Sequence, residues 1–107
     1  MTAYIAGPIT KRLKTYQYAF TDAEMVLKYL GYKVLNPAWL PKGLKDEDYQ
    51  RIDDAMLQTA DVVVLLKGWE RSKGARREAK LAERLGKTVV KYEKIDIRVE
   101  KKVEEVA

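Results

Sequence analysis

DVVVLLKGWERSKGARRE, Asp61 to Glu78, opens with five consecutive apolar residues, Val62 to Leu66. A short apolar run rich in β-branched residues is the signature of a strand buried on both faces, as in a parallel sheet. The run breaks at Gly68, crosses a polar loop to Ser72-Lys73-Gly74, and becomes a helical pattern carried by Ala75, Ala79 and Ala82 with Leu81 and Leu85. A buried strand therefore feeds a small-residue loop that opens a helix. The loop stands at the carboxyl end of the strand, where open α/β sheets bind ligands. Glu78 follows about one turn into the helix and is a candidate to face the same crevice.

Working outward, the flanking segments repeat this alternation. Ala3 to Ala6 is a short apolar strand stopped by Gly7-Pro8, with a loop to about Lys14. Tyr16 to Leu30 is helical by period, with Tyr16, Phe20, Ala23, Leu27 and Leu30 on one face and Gly31 as the stop. Lys33 to Leu35 is a second strand ended by Asn36-Pro37, and Ala38 to Lys45 is a loop. Asp46 to Thr59 is a helix with acidic residues in its first turn and an apolar set of Ile52, Ala55, Met56 and Thr59. Beyond Gly86, Thr88 to Val90 is a fourth strand. Ile95 to Ile97 offers a fifth, and Val99 to Val106 reads as a short charged helix or a frayed tail. Strands alternating with helices predict a three-layer α/β/α domain over residues 1–107, with a parallel, flavodoxin-like (Rossmann-like) sheet of four or five strands. The economical order, 2-1-3-4(-5), sets the ends of strands 1 and 3 side by side and brings Tyr4, Gly7 and Pro8 next to Gly68, Ser72, Gly74 and Glu78. Residues from about 95 onward read as a charged extension of the same domain.

Composition narrows the chemistry. The 107 residues suit one small domain, and 47% are apolar. Neither cysteine nor histidine is present. Disulfide and thiol chemistry are excluded, as are the commonest metal ligand and the commonest general base. Acid–base or nucleophilic work falls to carboxylates, Tyr, Lys, Ser or Thr, and neither a metal nor a cofactor is expected. There is no P-loop, no G-x-G-x-x-G and no metal-ligand cluster. The net charge of +5 suits an anionic ligand, and equally the surface of a lysine-rich protein. No apolar run approaches a bilayer span and the first residues lack a secretory pattern, so a soluble cytoplasmic protein is expected.

YIAGP near the N-terminus, NPA after strand 2, and the spacing D-x7-D-V-V-V-x5-E-x-S-x-G-x3-E-x3-A-x3-G-K together resemble the nucleoside 2-deoxyribosyltransferase superfamily. Within it the chain is most similar to a group of small phage- and prophage-type proteins. More distant relatives are the deoxyribosyltransferases and the 2′-deoxynucleoside 5′-monophosphate N-glycosidases. The resemblance spans residues 2 to about 90. It implies that Glu78 is the nucleophile at the anomeric carbon and that Asp53, eight residues before Asp61, assists protonation of the leaving base. It further implies that Tyr4 positions the Glu and that Ser72, six residues before it, binds a 5′-phosphate. The partner it implies is a small nucleoside or nucleotide rather than a nucleic acid, in a homodimer or larger homo-oligomer. Arg76 and Arg77 depart from the small or apolar residues of the enzymes, and GPIT departs from their Gly-rich or Trp-containing loop.

The same residues can be weighed without the family. Cleavage of an N-glycosidic bond passes through an oxocarbenium-like state, which one carboxylate captures while a second acid protonates the leaving group. Glu78 and Asp53 would suffice. Against this, Glu78 could be a solvated helix residue, Asp53 or Asp54 a surface or capping group, and Tyr4 plain core. Ser72 and Gly74 read as the N-cap and first turn of a helix, whose free N–H groups also make an anion site. Trp69 is either a lid over a base or an exposed loop aromatic. Lys67, Arg71, Lys73, Arg76 and Arg77 read mainly as a basic rim. Two functions remain. One is hydrolysis or deoxyribosyl transfer at the N-glycosidic bond of a deoxynucleoside or its 5′-monophosphate. The other is a non-catalytic nucleotide-binding protein of a phage or mobile element with the same crevice, Gly7, Pro8, Trp69, Ser72 and Gly74 lining it in either case.

Overall fold

The computed structural model describes residues 1–9 and 16–95. Four strands, β1 (Thr2–Ala6), β2 (Lys33–Leu35), β3 (Val62–Leu65) and β4 (Thr88–Lys91), form one parallel sheet in the order β2-β1-β3-β4. Three helices connect them: α1 (Tyr16–Tyr29), α2 (Asp46–Thr59) and α3 (Lys73–Arg84). The run that opens at Val62 is interior, paired to β1 on one side and β4 on the other, and all four of its residues are buried. The predicted fifth strand and charged tail fall outside the described residues, apart from Ile95, which caps a 3-10 turn over Tyr92–Lys94.

Strand alternation builds two cores. Ala3, Ile5, Val62 and Val64 face α1, where they meet Phe20, Ala23 and Leu27. Tyr4, Ala6, Val63 and Leu65 face the opposite way, against Leu57 of α2 and Ala82 of α3. The helices thus split one and two across the sheet, which gives the expected three layers. Within α2 the phase differs from the sequence reading. Leu57 is the buried residue and Met56 packs beside it, while Ala55 and Thr59 are exposed. A helix rich in acidic and polar residues gives a weak periodic signal, and tertiary packing fixes the phase. Among the described residues β4 is the last strand of the sheet and is mostly exposed, including Val89.

The strand ends are pinned by side chains. Asn36, almost fully buried, accepts from the Ala38 N–H and donates to Glu24 Oε1 on α1 at 2.8 Å. Burial pushes the Glu24 carboxyl up, but hydrogen bonds from Lys28, Asn36 and Trp39 more than reverse this, so it sits below the ordinary carboxylate range. The loop before α2 is tied down by the Tyr49 hydroxyl, which donates to the Pro41 carbonyl and accepts from the Leu44 N–H.

Candidate functional site

Tyr4 sits in the middle of β1, opposite Val63, with its side chain on the α2/α3 face. It is fully buried, and its hydroxyl donates to Glu78 Oε2 at 2.8 Å. Glu78 is on the inner face of α3 with Ala75 and Ala82, and is only 6% exposed. A carboxylate on a buried helix face is costly unless it is paired. Burial pushes the Glu78 carboxyl up to about 7, the Tyr4 hydrogen bond opposing this, the Asp53 charge adding to it, and Arg77 and Asp54 acting in opposite senses. Burial and the same carboxylates push Tyr4 far above its ordinary value, so it remains a neutral donor.

Asp53 comes from α2, half-buried on the same side of the sheet, and its charge acts on both Tyr4 and Glu78. Its Oδ1 is buried with no hydrogen-bond partner, and desolvation followed by the charge of Asp54 pushes its carboxyl up to about 6. The structure therefore assembles Tyr4, Asp53 and Glu78, from three elements separated in sequence, into one group of interacting side chains. Two carboxyl groups raised toward neutrality in one partly dry site can hold or release a proton near pH 7.

Just past the ends of β1 and β3, Pro8 and Gly68 come together. Gly68 adopts φ +90°, a conformation that strains any residue with a Cβ, and starts the 3-10 turn Trp69–Arg71. A Cβ at Gly68 would lie 3.5 Å from Pro8 Cγ, so the two loops are neighbours. Gly7 is buried, and a Cβ there would fall 3.0 Å from Leu66 Cβ; close packing of strand ends accounts for this glycine. Ser72 caps α3, its Oγ accepting from the Ala75 N–H at 3.2 Å. Gly74 is exposed in the first turn of α3, with nothing within 4 Å of a Cβ built there. Trp69 is half-buried against the Tyr4 side of the core, and its indole N–H has no partner. Among the alternatives left open for Trp69, a fully exposed loop aromatic is excluded.

The sequence reading missed the Arg77–Asp54 pair. The sequence reading counts Arg77 among five residues that are mainly a basic rim and leaves open whether Asp53 or Asp54 is a surface or capping group; in the structure the guanidinium crosses from α3 to α2 and binds both carboxylate oxygens of Asp54. The adjacency of Arg77 to Glu78, and of Asp54 to Asp53, was the signal available in the sequence. The helix–helix contact that gives it meaning was not.

No curated protein matches this chain in sequence. Among solved structures, a 2-deoxyribosyltransferase from the psychrotolerant bacterium Bacillus psychrosaccharolyticus superposes with a TM-score of 0.68 over 85% of this chain and 71% of that one, at 21% identity. The four-stranded parallel sheet and its 2-1-3-4 order are thus those of a deoxyribosyltransferase-like fold. Residues 1–91, from the first residue to the last of β4, match the family described as a domain of unknown function, DUF4406, and the chain belongs to that family.

Proposed function

We propose that this protein cleaves the N-glycosidic bond of a deoxynucleoside or deoxynucleoside 5′-monophosphate, by hydrolysis or by deoxyribosyl transfer, with Glu78 as the nucleophile. The observation that carries the reading is the buried hydrogen bond from Tyr4 to Glu78 Oε2, which fixes the carboxylate and leaves Oε1 for the sugar. In this reading Oε1 bonds to C1′ as the C1′–N bond breaks, and the electron pair leaves with the base. Asp53 delivers the proton that the base takes up. Water or an acceptor base then attacks C1′, breaks the ester and regenerates the Glu78 carboxylate. Ser72 and the first N–H groups of α3 receive the 5′-phosphate when one is present, and Trp69 packs beside the base. The fold shared with a 2-deoxyribosyltransferase supports the same class of substrate.

One observation favours a second reading. Glu78 is so little exposed that a crevice used only to bind a nucleotide would fit as well. Incubation with a panel of deoxynucleosides and their 5′-monophosphates, with free base followed by chromatography, separates the two. Catalysis requires base release by the wild type and its loss in Glu78→Ala, with nucleotide binding largely kept, because the nucleophile acts chiefly in the transition state. Adding a second base and looking for a new nucleoside separates transfer from hydrolysis. If no base is released, and calorimetry detects nucleotide on both proteins, the binding reading holds.

A further inference from the structure

Arg77 Nη2 donates to Asp54 Oδ1 at 2.8 Å and Nη1 donates to Oδ2 at 3.3 Å. The two side chains are 36% and 30% exposed, a setting in which an ion pair adds little to stability. Its place in the molecule says more than its strength. Arg77 is next to Glu78 on α3, and Asp54 is next to Asp53 on α2. Three carboxyl groups thus share the space between α2, α3 and β1 with one cation and one neutral hydroxyl, that of Tyr4. On this face β3 contributes only the apolar Val63 and Leu65. Arg77 Nε is buried without a hydrogen bond, so the guanidinium is turned toward Asp54 and the carboxylates rather than toward water.

We propose that Arg77 is a positioning residue for Glu78, clamping Asp54 in a bidentate pair and setting a positive charge beside the carboxylate cluster so that Glu78 can meet the substrate as an anion. The proposal rests on the reading of Glu78 as nucleophile. Burial and the Tyr4 hydrogen bond are the larger influences on Glu78, and Arg77 and Asp54 pull on it in opposite directions, Arg77 down and Asp54 up. On Asp53 the order is burial first, then Asp54 upward, then Arg77 downward. Replacing either partner breaks the same ion pair, but the two replacements leave opposite charges behind. A structural clamp and an electrostatic one therefore predict different outcomes.

The test is a carboxyl-carbon NMR titration of the full chain, wild type against Arg77→Met, Arg77→Lys and Asp54→Asn, with Glu78→Gln to assign the Glu78 resonance. The Glu78 midpoint should move up in Arg77→Met, move down in Asp54→Asn, and stay near wild type in Arg77→Lys, which keeps the charge. Because Arg77 lowers Asp53 as well as Glu78, Arg77→Met should move the whole pH profile of base release to higher pH rather than slow the reaction at one pH in step with Glu78 alone. Midpoints that move the same way in both single variants, or do not move, overturn the proposal. If Arg77→Met does not fold, the downward shift in Asp54→Asn together with an unchanged Arg77→Lys supports it, and an upward or absent shift in Asp54→Asn overturns it. Absence of base release from the wild type would remove the nucleophile reading and with it the catalytic purpose given to Arg77, whereas a failed titration with base release intact would overturn the role of Arg77 alone.

Discussion

Glu78 and Asp53 carry the pH behaviour of this protein, and the sign follows from burial. Both carboxyls are raised in the folded chain, Asp53 from 3.8 to about 6 and Glu78 from 4.5 to about 7. The folded state then binds these protons more tightly than the unfolded state, so their contribution to stability is fully present below pH 4 and is lost as pH rises through about 7. Glu78→Gln keeps the shape and removes the buried charge. It should melt higher than wild type at pH 8, by on the order of 2 kcal/mol, with the difference gone at pH 4. Thermal denaturation at the two pH values checks this, and an equal difference at both would contradict it. Catalysis asks for an ionised Glu78 together with a protonated Asp53. Glu78 holds its proton more tightly than Asp53, so the competent form is a minor fraction, and base release should follow a low bell between about pH 6 and 7 whose two limbs belong to the coupled pair, Glu78 protonation ending it on the acid side and Asp53 ionisation on the alkaline side. Asp53→Asn should lose the alkaline limb. A profile that keeps it would mean that Asp53 orients the base without giving it a proton.

At the scale of the element, the start of α3 does two things with one residue. Ser72 satisfies the Ala75 N–H as an N-cap and, in the proposed reading, receives the 5′-phosphate with the remaining free N–H groups. The two uses can be separated. Ser72→Ala removes the cap and should cost about 1 kcal/mol of stability, whereas Ser72→Gly, a tolerable N-cap, should cost only a few tenths. Both remove the hydroxyl, so both should weaken binding of a monophosphate relative to its nucleoside. Calorimetry with the nucleoside and its monophosphate, alongside denaturant titration, measures the two effects. If monophosphate preference follows stability across the variants, Ser72 is only a cap. α2 shows how far local pattern reaches. Its acidic first turn placed its start correctly at Asp46, because the helix dipole acts locally. Its buried face did not follow from its own sequence, since Leu57 is selected by the sheet beneath it.

For the whole molecule, the outer surface of α1 raises the question of assembly. Tyr18 and Met25, two turns apart, are 76% and 65% exposed, large apolar side chains on a helix whose other face fills the core. The protein is expected to form a homodimer that covers this stripe. Light scattering of wild type and of Met25→Glu should show a dimer replaced by a monomer, and a monomeric wild type at high concentration would remove the expectation. No helix among the described residues is long and apolar enough to cross a membrane.

The sequence by itself determined the layers, the parallel sheet and the position of Val62 to Leu65 inside it. Strand burial, helix period and glycine stops are local properties, and short crossovers leave few topologies open. The resemblance carried by its motifs also singled out Tyr4, Asp53, Ser72 and Glu78, and the lack of histidine and cysteine is consistent with a site built on carboxylates. Only the tertiary structure decided that Tyr4 hydrogen-bonds Glu78 across 74 positions, that Gly7 is a packing glycine against Leu66, and that Arg77 belongs to the carboxylate cluster. The reason is the same in each case. Burial and pairing depend on which elements share a face of the sheet, and residues distant along the chain become neighbours only when the sheet and helices have packed.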